Sequence, residues 1–261
     1  METPQTRSVA YRLPVEDLDF LLRDELRPIR FALEYSKAEL HLREWGVRST
    51  VIVFGSARIP SPEQAEAVTD ATLRPRALRQ ARWYAEARRF ARIVSERGGA
   101  LTEANGMRDN VIATGGGPGI MEAANRGAAD AGAPSIGFNI TLPHEQGPNT
   151  YSTPDLTFRF HYFAMRKMHL AMRAAALAVF PGGFGTLDEM FEVLTLQQTN
   201  KAPHAPVLLF GSEFWQRAIG FDALVEEGLI AAGDLDLFSF VDDAEEGWRE
   251  LVRRGLPVPA A

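Results

Sequence analysis

Ala176-Leu177-Ala178-Val179-Phe180-Pro181-Gly182-Gly183-Phe184-Gly185-Thr186-Leu187-Asp188-Glu189 reads as one unit: a buried strand, a glycine turn and the start of a helix. The short apolar run Ala176 to Phe180 fits a strand covered on both faces, and the glycines after it let the backbone turn sharply and come close to a ligand. Thr186 is placed to cap the following helix. The first amides of a helix have no intrahelical acceptor, and an anion there gains both those donors and the helix dipole. Glu189 then falls one turn into the helix, beside whatever the loop holds. The same four residues, Thr186 to Glu189, also match a capping box, in which the glutamate only returns a hydrogen bond to the cap. Both readings of Glu189 stand at this point.

Working outward, similar units recur. Thr50 to Phe54 is a β-branched strand followed by Gly55-Ser56-Ala57-Arg58. A long helix is expected over Ala77 to Glu96, and a second strand, Val111 to Ala113, leads into Thr114-Gly115-Gly116-Gly117-Pro118-Gly119. Ile120 to Ala131 reads as helix, Ser135 to Ile140 as strand, Thr141 to Asp155 as loop and Leu156 to Phe160 as a fourth strand. A helix over Tyr162 to Ala175 precedes the opening unit. Its own helix is expected over Thr186 to Thr199, then strand Val207 to Phe210, helix Glu213 to Gly228, strand Phe238 to Val241 and helix Asp242 to Arg254. Strands separated by helices require parallel pairing, because parallel neighbours need long crossovers. The expected fold is therefore α/β, an open, doubly wound, Rossmann-like parallel sheet with helices on both faces. Val15 to Trp45 is helix-rich and Pro28 is expected to divide it in two, giving an N-terminal helical extension over 1–48 and a nucleotide-binding catalytic domain over 49–261. In such sheets ligands sit beyond the carboxyl ends of the strands, where neighbouring loops meet. The loops at Gly55-Ser56, Gly115 to Gly117 and Gly182 to Gly185 are the three candidates.

Composition narrows the function classes. The 261 residues are 46% hydrophobic and 24% charged, ordinary for a soluble globular protein, and no apolar run approaches a membrane span. Met1 to Pro14 lacks the order of a secretion signal, so a cytoplasmic location is expected. The absence of cysteine removes disulfides, thiol nucleophiles and thiolate metal sites. A net charge of −6 argues against nucleic acid as a partner. Arginines concentrate between Arg74 and Arg92, where Glu86 and Glu96 suggest a solvated, salt-bridged helix face.

Several chemistries are excluded or weakened by pattern. No Gly-x-Gly-x-x-Gly follows the first strand, which disfavours a nicotinamide enzyme, and no Gly-Lys-Ser/Thr exists for a triphosphate loop. A mononucleotide or sugar phosphate fits the glycine loops better. His41, His144, His161, His169 and His204 have no metal-ligand spacing, so no metal and no cofactor are expected. Ser56 lacks a nucleophile-elbow context and suits turn hydrogen bonding or phosphate contact. Arg166 and Lys167 are either surface charges or, beside His161, Tyr162 and Phe163, part of a binding wall.

Gly115-Gly116-Gly117-Pro118-Gly119-Ile120-Met121, then Arg166-Lys167, then Pro181 to Glu189 resemble the Lonely Guy (LOG) family of phosphoribohydrolases, often mislabelled lysine decarboxylases. The likeness covers roughly Val51 to Val241, and the 23-residue interval from Arg166 to Glu189 suits the family pattern. It implies hydrolysis of the N-glycosidic bond of a nucleoside 5′-monophosphate, AMP or an N6-modified AMP, to free base and ribose 5-phosphate. It further implies Arg166 and Glu189 as the catalytic pair. Substrate contacts would come from Lys167, Gly183, Phe184, Gly185, Thr186, Leu187, Asp188, Thr195 and Glu145, with Ser56, Gly116 and Gly117 helping to hold the phosphate. Assembly as a homodimer or larger is implied as well. Some relatives on the scaffold carry molybdenum cofactor, so a non-catalytic binding or carrier protein is the alternative. Phe163-Ala164-Met165 departs from the Met-His-x that precedes Arg-Lys in plant members, and Ala175 stands where an aspartate is usual. These changes leave the choice between AMP and cytokinin ribotides open.

Overall fold

The computed structural model describes residues 2–101, 105–142 and 147–259. Its seven strands are β1 (Thr50–Phe54), β2 (Val111–Thr114), β3 (Ser135–Ile140), β4 (Thr157–Phe160), β5 (Ala174–Val179), β6 (Val207–Phe210) and β7 (Phe238–Val241). They form a single parallel sheet in the order β4-β3-β2-β1-β5-β6-β7. The helices are α1 (Leu18–Leu21), α2 (Arg27–Glu44), α3 (Pro62–Glu66), α4 (Arg74–Arg97), α5 (Ile120–Asp130), α6 (Phe163–Met172), α7 (Phe184–Gln198), α8 (Ser212–Ala218), α9 (Phe221–Glu226) and α10 (Ala244–Arg253). From β1 the chain winds outward through β2, β3 and β4, then returns to the other side of β1 and winds outward again through β5, β6 and β7. The reversal falls between β1 and β5, and the carboxyl edge beyond those two strands is where such folds bind ligands.

Alternation along each strand fills two cores. Ile52, Phe54, Leu177, Val179, Val207 and Leu209 point into one, with Leu42 of α2, Leu170 of α6 and Met190 of α7. Val51, Val53, Ala176, Ala178, Leu208 and Phe210 point into the other, with Phe90 of α4, Ile120 of α5 and Leu251 of α10. Each buried aromatic or branched aliphatic side chain contributes roughly 1.5–3 kcal/mol relative to exposure. Among the described residues no helix is long and apolar enough to cross a membrane.

Several expected boundaries move, each for a local reason. Pro28 does not divide two helices; it sits in the first turn of α2, where its missing N–H costs nothing, and Val15 to Leu26 holds only α1 and short 3₁₀ turns. Ala174 and Ala175, expected at the end of a helix, begin β5, because Thr50 and Val51 of β1 pair with Ala174 and Ala176. The single helix expected over Glu213 to Gly228 is two, α8 and α9, broken at Ile219-Gly220 by an extended Ile219. The arginine-rich α4 is salt-bridged in part. Arg74, Arg88, Arg92 and Arg97 pair with Glu66, Asp130, Glu96 and Glu245, whereas Glu86 accepts the Ala244 amide.

Candidate active site at the β1–β5 crevice

Backbone hydrogen bonds tie three loops together at the crevice. Phe180 N donates to Phe54 O at 2.8 Å and Ser56 N donates to Pro181 O at 3.1 Å, joining the loops after β1 and β5. Ile120 N donates to Ser56 O at 3.2 Å, which brings in the start of α5. A Cβ at Gly55 would lie 2.7 Å from the Ile120 side chain, so glycine permits this approach. A cavity of about 600 Å³ opens here, its lining including Phe54, Ser56, Arg58, Met121, Arg166 and the segment Gly183 to Leu187.

One expectation about α7 is corrected. The helix starts at Phe184, two residues earlier than expected, and its N-cap is Gly183 rather than Thr186. The amides of Thr186 and Leu187 are both taken by Gly183 O at 3.0 Å. The capping-box reading of Glu189 therefore fails, because Glu189 stands in the second turn with no cap to serve. Among the described residues nothing accepts from the amides of Phe184 and Gly185, which sit on the cavity wall. Thr186 packs against the turn so closely that a Cβ at Gly182 would run into its hydroxyl.

Arg166 threads through the middle of the site. It is only 8% exposed, its Nε donates to Phe138 O at 2.8 Å, and its guanidinium lies 5.9 Å from the centre of the Phe54 ring. A Cβ on Gly115 would come within 2.5 Å of the arginine Nη2, which explains a glycine at that point of the β2 loop. Arg166 Nη1 stands 3.9 Å from Glu189 Oε1, an ion pair too long for a hydrogen bond. Glu189 is 5% exposed and accepts no hydrogen bond among the described residues. Burial pushes its carboxyl up to about 7, against the pull of Arg166 and Lys167. Burial likewise pulls the Arg166 guanidinium below its ordinary value, opposed by Glu189 and Asp188.

The expected site residues divide into groups. Ser56, Arg166, Gly183, Phe184, Gly185, Thr186 and Leu187 share the one cavity. Glu189 is not among its lining residues and stands behind Arg166, one helical turn from Gly185. Lys167 lies between α6 and α7, with Nζ 2.9 Å from Asp188 and 3.0 Å from Glu192. Asp188 and Thr195 border an adjoining shallow groove on α7, which shares Phe184 and Leu187 with that cavity and includes Phe191 and Leu196. Gly116 has its backbone committed internally, its N–H donating to Thr114 Oγ1 and its carbonyl accepting from Asn139 and Asn149. Met121 lies against Gly117, 3.0 Å from where its Cβ would be. Glu145 lies outside the described residues. Phe54, Arg58 and Met121 were not expected. Arg58 alone left a signal, a cation two residues past the Gly55-Ser56 turn, and it carries no ion pair among the described residues. A larger open cleft near the start of α8 is lined by Arg76, Arg79, Arg82 and Arg217 together with Glu86, Glu213 and Asp242, and shares no lining residue with the cavity at the glycine loops. Among the described residues no group of three or more acidic or histidine side chains gathers to hold a metal.

The model of the family described as "Possible lysine decarboxylase" matches residues 121–251, half of the chain, and takes in α6, β5 and all of α7. The chain belongs to this family, the LOG family. Similar curated proteins include a probable cytokinin riboside 5′-monophosphate phosphoribohydrolase of Oryza sativa subsp. japonica, 28% identical over 140 residues, and a cytokinin riboside 5′-monophosphate phosphoribohydrolase of Arabidopsis thaliana, 27% identical over the same length. Those matches take in 52% of this LOG-family chain and span 60% and 64% of the two relatives. Among solved structures, the Moco carrier protein of Chlamydomonas reinhardtii aligns with a TM-score of 0.48 at 19% identity, over 79% of this chain and 98% of that one. The molybdenum cofactor binding protein of Rippkaea orientalis aligns at 0.45 and 18%, over 79% and 94%.

Proposed function

We propose that this LOG-family chain hydrolyses the N-glycosidic bond of a nucleoside 5′-monophosphate, AMP or an N6-modified AMP, releasing free base and ribose 5-phosphate. The observation that carries the reading is Glu189, a buried carboxylate with no hydrogen-bond donor of its own among the described residues, pushed up to about 7 and facing Arg166 across 3.9 Å. A buried carboxylate with no donor of its own is costly to fold around, and such groups concentrate where chemistry uses them. The names of the similar curated proteins point to the same reaction.

The residue types suit that bond. As the bond from ribose C1′ to the base nitrogen breaks, its electrons leave with the base and positive charge grows on the sugar ring. A carboxylate beside C1′ stabilises that charge and takes the proton of the water that adds there, and that proton passes on to the departing base nitrogen, so the base leaves neutral and the carboxylate is restored. Arg166 reaches the cavity wall and favours the charged form of Glu189 against the effect of burial, so a substrate that engages the guanidinium is brought to the carboxylate behind it. The open amides of Phe184 and Gly185, the Thr186 hydroxyl and Arg58 form the phosphate end of the site. Phosphate binding there fixes the ribose from a distance. Catalysis is assigned to residues 49–261, with 1–48 as a helical extension. Homo-oligomeric assembly, a dimer or larger, goes with the apolar face of α7, where Phe184 is 93% exposed.

The phosphate requirement is the test. Base release is followed by chromatography with AMP, N6-modified AMP and adenosine as substrates. The expected result is turnover of at least one monophosphate and a kcat/KM for the matching nucleoside lower by roughly 100-fold, the worth of two or so charge-assisted phosphate contacts. Equal turnover of nucleoside and nucleotide, or no base release from any monophosphate, overturns the reading.

A further inference from the structure

The helix that carries Arg166 makes no side-chain cap of its own. Tyr162, the N-cap of α6, offers no hydrogen bond from its side chain to the first turn. The acceptor comes from 127 residues away in the chain. Glu34, on α2 of the N-terminal extension, accepts from His161 N through Oε1 at 2.9 Å and from Tyr162 N through Oε2 at 3.2 Å. One carboxylate thus takes the two amides that enter α6, where negative charge also meets the positive end of the helix. Two neighbours on α2 grip Tyr162 from the side. Arg30 Nε donates to the Tyr162 hydroxyl at 3.0 Å, and the Phe31 ring meets the Tyr162 ring edge-on at 4.4 Å.

Arg166 lies one turn later, and its backbone N–H closes the first turn on Tyr162 O at 3.2 Å. The place of the Arg166 backbone is therefore set by Tyr162, and the place of Tyr162 by α2. The guanidinium has little tolerance for a shift. Its Nε bond to Phe138 O, its distance from Glu189 and the Gly115 backbone beside it all depend on the first turn of α6 staying where it is.

We propose that Glu34 is a positioning residue for Arg166, acting through the first turn of α6. The proposal rests on the assignment of Arg166 and Glu189 to the active site. The rest of α6 has its own ties to α2. Tyr35 stacks on His169 at 5.2 Å and its carbonyl is 3.1 Å from His169 Nε2, while Arg173 just beyond the helix donates to Glu39 at 2.9 Å. Loss of Glu34 alone therefore loosens the amino-terminal turn and leaves the packing of α2 in place.

The experiment compares the full-length wild-type chain with Glu34→Ala and Glu34→Gln, using two readouts. The first is base release from AMP across pH. Glu34→Ala lowers kcat by roughly tenfold with KM within about threefold, as expected for a misplaced catalytic group rather than a lost binding contact. Glu34→Gln, which keeps one acceptor oxygen, falls between the two. The second is the titration of the Glu189 carboxyl by carbon NMR, assigned with Glu189→Gln. The charges facing Glu189 are Arg166 and Lys167 on α6 and Asp188 and Glu192 on its own helix. Withdrawing Arg166 removes part of the attraction that holds the carboxylate ionised, so the midpoint in Glu34→Ala moves up by roughly half a unit or more. An unmoved Glu189 titration in Glu34→Ala overturns the proposal whether or not the chain turns over AMP. A moved titration in a chain with no turnover leaves Glu34 as the positioning residue and removes the proposed reaction instead. Wild-type kcat in a folded Glu34→Ala, with wild-type activity established, also overturns it.

Discussion

Replacing Glu189 with glutamine should change how the stability of this protein depends on pH, and the size of the change follows from the site. The folded carboxyl titrates at about 7 and its ordinary value is 4.5. Between those values the folded state holds a proton that the unfolded chain has released, so stability falls as pH rises across that window. At 1.36 kcal/mol per unit the full cost of ionising Glu189 in place is about 3 kcal/mol, complete only above about pH 7. Glu189→Gln keeps the shape and removes the titration. It also removes the attraction between Arg166 and the ionised carboxylate, which is already contained in the value of about 7, so the informative quantity is the difference between the two proteins at two pH values. Urea unfolding of wild type and variant at about pH 5 and about pH 8 measures it, and the variant should gain roughly 2–3 kcal/mol relative to wild type between them. A difference constant within about 0.5 kcal/mol would mean that Glu189 titrates as an ordinary surface carboxylate, and the reasoning about its buried charge would be wrong.

Glu39 carries the opposite sign. It is buried, accepts from Arg173 at 2.9 Å and Arg43 at 2.6 Å, and its carboxyl is held down at about 2. Its contribution of about 3 kcal/mol is present above the ordinary carboxylate value and lost as pH falls towards 2, so acid unfolding of Glu39→Gln should be shallower and its stability near neutral pH lower by a similar amount. Gly115→Ala adopts its backbone without strain, yet its Cβ would lie 2.5 Å from Arg166 Nη2 and 2.8 Å from Met121 Sδ. Thermal denaturation should show a cost of roughly 1–3 kcal/mol, while base release falls by at least roughly tenfold because the guanidinium is displaced. Full activity in that variant would show that the guanidinium position is not critical.

The fold was readable because its signal is repeated. β6 and β7 fall where the apolar runs put them, and the glycine turns after β1, β2 and β5 mark the carboxyl edge. Local propensity misled where tertiary pairing outweighed it. Ala174 and Ala175 after α6 look helical, and β1 draws them into the sheet. Gly183-Phe184-Gly185 looks like loop, yet two of the three join α7, which moves the cap from Thr186 and changes what Glu189 can do. Gly183 to Leu187 lie on the cavity wall, where the strand-turn-helix pattern points, whereas Arg166 stood out only through the family resemblance, because its local pattern fits a surface charge equally well. Phe54 and Met121 were not legible, because an apolar residue at a strand end or helix start has the same appearance whether it faces a core or a cavity. Glu34 was not legible either. Its partners are backbone amides distant in sequence, and no spacing rule connects a glutamate on one helix to the open end of another.

Turnover of AMP and N6-modified AMP by wild type, Glu189→Gln and Arg166→Ala, with free base and ribose 5-phosphate both quantified, tests the central claim most directly. The account predicts equal amounts of the two products from wild type, kcat/KM that declines below about pH 7 as Glu189 takes up its proton, and losses of roughly 1000-fold or more in both folded variants. Wild-type rates in folded Glu189→Gln would contradict it.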